Sequence, residues 1–289
     1  MREVEIQVHP SRCDCVSRNS FAVIILARHG SFGFVLRSHA KPELPYLVMG
    51  AAGLGALTFL LPLVGTPEPP RSAQIAAYVL VLTTVIILLH GFLLAARSYA
   101  TSRLLALGVV AAALGGLLAL LTRLGNLEDS SWALLPFELS LANLFRILAG
   151  ASIGISLARY VRSVGVMLLI VAAATVSDIF SVFAGPTKTL VEENSPVLDL
   201  LLLIFPTFGS ALGFGLGVSD FVFLSLFAAA SRFLNLRYPA TLLCVCLATF
   251  LAMTAGLLLE RPLPALPFIA IAFLLANADL ILVSLTRRP

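Results

Sequence analysis

The chain has 289 residues, of which 59% are hydrophobic and only 12% are charged, and its formal net charge is +4. That charged share is about half of what a soluble globular domain carries, so a water-soluble core cannot hide the apolar surface and lipid must solvate part of it. The small positive balance sits at loop ends, as in the inward-facing loops of membrane proteins, and calls for no nucleic-acid partner.

Residues 1–44 form a polar-to-mixed extension. Its first residues are polar, so no cleavable signal peptide is expected. Phe21–Ala27 and Phe32–Leu36 flank Arg28-His29-Gly30-Ser31, a pattern that predicts a small hairpin. Cys13 and Cys15 form one Cys-x-Cys pair and Cys244 and Cys246 another, which suggests no disulfide framework. The same spacing is poor for zinc, even with His9 and His29 nearby. No metal or other cofactor is expected.

A bilayer-crossing helix needs roughly 20 apolar residues. Segments of that kind lie at 46–65, 74–95, 103–122, 133–158, 163–184, 213–233, 238–258 and 264–285. They predict an all-α polytopic membrane protein of about eight spans, or nine if one is hidden. The apolar run from Val197 to Phe205 is too short to span and ends at Pro206, so it reads as a strand or re-entrant piece. The chain divides at about residue 160 into an N-terminal group of helices (45–160) and a second group (161–289) that carries the motifs below.

Basic residues orient the array. Arg97 and Arg103, Arg159 and Arg162, and Arg232 and Arg237 flank three connections that fall on one side. Arg287, Arg288 and the basic residues of the extension fall on that side too. The positive-inside rule then predicts that both termini are cytoplasmic. The compact chain suggests the cell membrane of a prokaryote.

Two carboxylates interrupt the apolar runs. Asp178 lies in Ala174-Thr175-Val176-Ser177-Asp178-Ile179-Phe180, and Asp220 in Gly215-Leu216-Gly217-Val218-Ser219-Asp220-Phe221. A carboxylate in hydrocarbon is costly and faces a partner or a water-filled cavity. Read on the predicted spans, both sit roughly 10 Å below the same membrane face at ~1.5 Å per residue. Successive spans run antiparallel, so the two can meet. Paired carboxylates cannot both ionise, and one charged plus one neutral is the state that activates water and polarises a carbonyl. The plainer role of a membrane Asp is to hold helices together. A third role is a proton relay in a transporter or channel. The internal repeats expected of such transporters are not visible in the sequence.

The last span opens with Pro262-Leu263-Pro264-Ala265-Leu266-Pro267. Prolines there free backbone groups from the helical ladder, and freed groups can pair with an extended peptide. Taken in order, Ser177-Asp178 with Ile179-Phe180-Ser181-Val182-Phe183, then Gly217-Val218-Ser219-Asp220, then Pro264-Ala265-Leu266-Pro267 resemble the presenilin and signal peptide peptidase family of intramembrane aspartyl proteases. The resemblance covers roughly residues 165–285, including the tract from Ser195-Pro196 to Phe205-Pro206. Ser177 stands where that family has tyrosine, and Ser219 where it has glycine, which bears on efficiency and leaves an inactive, helix-binding member as a further alternative.

The resemblance implies an aspartic endopeptidase whose partners are transmembrane proteins or peptides in the bilayer. Asp178 and Asp220 would be the acid/base pair. Pro264, Ala265 and Leu266, with Gly217 and Ser219, would shape the cleft and hold the substrate, and 197–206 would add a strand to it. The connection between the two catalytic helices faces outside, which resembles the signal peptide peptidase orientation. Elsewhere, Glu138 and Arg146 share one face of the fourth span about two turns apart, and a structural role is expected. Asp279 and Asn277 are expected to be structural near the inner interface, and Cys244 and Cys246 apolar fillers. Gly213, Gly215 and Gly217 are expected to loosen a helix just before Asp220.

Overall fold

The computed structural model describes residues 43–64, 70–124, 135–185, 189 and 201–286. Residues 1–42, on which the expected hairpin falls, the tract from residue 195 to 200, and Arg287 and Arg288 lie outside the described residues. Residues 42–289 form one compact unit.

Among the described residues the unit has eight α-helices, a 3-10 turn at Ala96–Ser98 and one two-stranded hairpin. In chain order the α-helices and strands are α1 (Glu43–Leu63), α2 (Arg71–Ala95), α3 (Thr101–Leu124), α4 (Leu135–Ala158), α5 (Val164–Phe183), β1 (Leu202–Thr207), β2 (Ser210–Gly217), α6 (Val218–Phe233), α7 (Tyr238–Leu259) and α8 (Leu266–Thr286). Seven of the helices are long and apolar enough to cross a membrane, at the positions that the apolar runs predict. The sixth expected span is different. Its first residues, 213–217, belong to β2, and α6 is only 16 residues long. The expectation of a loosened helix at Gly213, Gly215 and Gly217 is therefore corrected. Glycine at every second position follows the period of a strand, and glycine in a helix interior costs up to about 1 kcal/mol per residue.

The short run expected to be a strand is β1, antiparallel to β2, with Leu203 opposite Leu216 and Ile204 opposite Gly215. The ladder is irregular between Phe205 and Thr207, because Pro206 has no N–H to donate. Gly209 turns the hairpin with φ of 75°, a conformation that suits glycine. Its N–H donates to the Leu61 carbonyl at the end of α1 (3.0 Å).

Helices pack as the pairs α1–α2, α3–α4, α4–α6, α6–α7, α7–α8 and α8–α5. Small residues allow the closest of these approaches. Gly50 meets the backbone of Leu88, and Gly150 and Gly154 on α4 meet Phe221 and Ser225 on α6. Gly150 and Gly154 form a Gly-x-x-x-Gly pair, the signature of close packing between membrane helices.

Arginines gather on one face. Arg159 donates to the Ala96 and Tyr99 carbonyls, and Arg232 to the Leu93 carbonyl, which caps the end of α2 from two other helix ends. Arg237 pairs with Asp279 at 2.6 Å, and Asn277 accepts from the Arg237 N–H at 3.0 Å. At the opposite ends of α2 and α7, Arg71 pairs with Glu260.

Candidate active site

One seam of α5 sets the position of Asp178. Val164, Met167, Val171 and Ala174 are its buried residues. They recur at helical spacing, and the next position in that series is 178. The same face that packs α5 on α8 therefore carries the carboxylate to α8. There the Leu266 N–H donates to Asp178 Oδ2 at 2.9 Å. Leu266 is the first residue of α8, so its N–H has no acceptor within its own helix. The proline-rich approach keeps residues 262–265 out of the helix. Ala265 closes the first helical bond by accepting from Ile269. Pro264, Ala265 and Leu266 are all buried.

Asp220 is the third residue of α6, and Gly217 is the N-cap residue. The Asp220 carboxylate accepts from the Gly217 N–H, which is the back-reaching half of a capping box. Gly217 is extended (φ −62°, ψ 137°), so no left-handed backbone requires glycine here. The fit is tight instead: a Cβ at 217 would sit 3.0 Å from Asp220 Oδ2 and 3.2 Å from Ser219 Oγ, so those side chains would have to give by a few tenths of an ångström. Ser219 and Ser177 are exposed, whereas Asp178 and Asp220 are half-buried.

Both carboxylates thus stand at helix N-termini, where the helix dipole favours negative charge. They are close enough to interact electrostatically. Asp220 also lines a cavity of about 250 Å³ with Tyr78, Gly215, Gly256, Arg261, Pro262 and Ala265 among its walls. Of the sequence-predicted residues, Asp220 and Ala265 line this cavity, Leu266 bonds Asp178, Gly217 bonds Asp220, and Ser219 is exposed. Pro264 is buried and makes no polar contact with either Asp among the bonds described.

Sequence reading missed Tyr78, which reaches the cavity from α2 and carries no motif. It also missed Asn143. Asn143 and Arg146 project from α4 onto β1: Asn143 bonds both the N–H and the carbonyl of Ile204, and Arg146 donates to the Leu202 carbonyl at 2.7 Å. The structural role expected of Arg146 is therefore to anchor a strand. A polar pair at i and i+3 on an apolar helix was the available signal.

The helices and this polar interior define an integral multi-pass membrane protein. No family model, curated protein or solved structure matches the chain.

Proposed function

We propose that the protein is an intramembrane aspartic endopeptidase of the presenilin and signal peptide peptidase type, which hydrolyses peptide bonds within transmembrane segments. The observation that carries this reading is that Asp178, on α5, accepts from the head of α8, while Asp220, on α6 and within electrostatic reach of it, lines a cavity with the adjoining Ala265. In the proposed reaction one carboxyl is ionised and the other protonated. The ionised group takes a proton from water as the water oxygen attacks the scissile carbonyl carbon. The protonated group gives its proton to the carbonyl oxygen. The tetrahedral intermediate then collapses: the C–N bond breaks, the nitrogen leaves with the proton taken from water, and a hydroxyl of the intermediate returns a proton to the carboxylate that had given one.

The substrate must be extended for this to happen, since a helix hides its peptide groups. The hairpin supplies a backbone edge for it, in the manner of strand addition. The strand expected at 197–206 provides the inner strand, β1, and β2 provides the edge on the cavity side. Ser177 and Ser219 are exposed, Ser177 on the outward side of α5 beside Val176 and Phe180, and both leave the carboxylates their helix-end partners.

The two capping bonds favour a second reading, in which both aspartates only terminate helices. Asn keeps an acceptor oxygen for each cap but cannot carry the proton. Asp178→Asn and Asp220→Asn are expected to stay folded in detergent and to cleave a transmembrane peptide at least about 100-fold more slowly than wild type. Wild-type cleavage that both variants retain would assign the aspartates to capping alone.

A further inference from the structure

The outward edge of β1 is closed by side chains. Asn143 Oδ1 accepts from the Ile204 N–H at 3.1 Å, its Nδ2 donates to the Ile204 carbonyl, and Arg146 takes the Leu202 carbonyl. A carboxamide that offers one acceptor and one donor to the same residue copies the backbone of a neighbouring strand. Both side chains are buried in an apolar helix, where polar groups are costly unless they are bonded. A two-stranded hairpin is marginal alone, so these bonds from α4 act as its third strand.

The direction of these bonds fixes what the other edge presents. Ile204 lies opposite Gly215. Because the polar groups of Ile204 turn toward α4, the pair is a non-hydrogen-bonded one, and those of Gly215 turn away from β1. Gly215 lines the cavity that holds Asp220. Two residues on, the Gly217 N–H also turns outward and reaches the Asp220 carboxylate. The open edge of the hairpin and the carboxylate are thus in one alignment.

We propose that Asn143 and Arg146 are positioning residues. They close the β1 edge and fix the hairpin in register, so that an extended peptide adds only along Gly215 and one particular bond of it stands at Asp220. A slip of one residue would exchange the two faces of the strand and move the bond presented. This inference rests on the protease reading for its outcome, the position of the cut. The choice of edge is independent of cleavage.

The test uses the full chain in lipid nanodiscs with a Lys-flanked Leu/Ala transmembrane peptide that carries a photo-reactive leucine. Crosslinks to the wild type are expected at 213–217. Asn143→Leu and Arg146→Met are expected to add crosslinks at 202–205, to spread the cut over neighbouring bonds and to raise KM more than they lower kcat. Arg146→Lys, which keeps a donor, is expected to retain the wild-type cut. Crosslinks at 202–205 in the wild type would overturn the edge assignment. An unchanged cut position in a folded Asn143→Leu chain would overturn the positioning role. A wild type that makes no cut, with crosslinks confined to 213–217, would remove the protease reading and leave the edge assignment standing.

Discussion

Helices α4 and α5 follow one another in the chain and have similar lengths, but their surroundings are opposite. Two thirds of the α4 span (67%) is buried within the protein, against 17% of the α5 span, so one is an interior post and the other an outer rail. The better-buried helix is the less apolar of the two. In water that ranking would be reversed. In a bilayer, lipid accepts the branched and aromatic side chains, and α5 turns Val166, Leu169, Val176 and Phe180 outward. Protein neighbours accept what lipid rejects, and α4 turns Asn143, Arg146, Ser152 and Ser156 inward. The two helices also differ in grip: α4 meets α3, α6, α1 and β1, whereas α5 packs chiefly on α8. One catalytic carboxylate of the proposed pair therefore rides on a loosely held helix, and the other heads a helix locked to α4.

The contrast can be broken from the tight side first. Gly154→Leu places a side chain where even a Cβ collides with Ser225 Oγ and the Val222 carbonyl. We expect about 3 kcal/mol of destabilisation or more, seen as a large fall in the thermal transition in detergent. A stable Gly154→Leu chain would show that α4 and α6 are not locked. A smaller effect tests the seam of α5. Met167 is fully buried on it, and Met167→Ala is expected to cost about 2 kcal/mol, measured in the same way. The smallest effect belongs to the outer face. Leu169 is 71% exposed within the protein, so Leu169→Ala should change stability by less than about 0.5 kcal/mol. A cost equal to that of Met167→Ala would mean that α5 is covered by another chain.

Much of this was legible in the sequence because a bilayer imposes one length on every span. Seven apolar runs therefore became helices within a few residues of their expected ends. The aspartates were legible for the same reason, since a carboxylate in such a run must face something polar. The strand before Asp220 was not. Its residues are apolar and run unbroken into α6, so a hydropathy reading fuses the two, and only the alternate glycines mark the change of period. The partnership of Asn143 with Ile204 joins residues 61 apart in the chain, and no local pattern can announce it. Gly150 and Gly154 were a readable signal that the aspartates overshadowed.

The shortness of α6 is accommodated within the protein. Sixteen residues make a rod of about 24 Å, against a hydrocarbon layer of roughly 30 Å. The missing length is at the end that carries Asp220, where a hairpin takes the place of helix. Residues 221–232 of α6 are all buried or half-buried, so the short helix is met by protein neighbours rather than by lipid and imposes no mismatch on the bilayer. A strand, whose polar backbone is not closed within its own element, thus stands where an ordinary span would be closed helix.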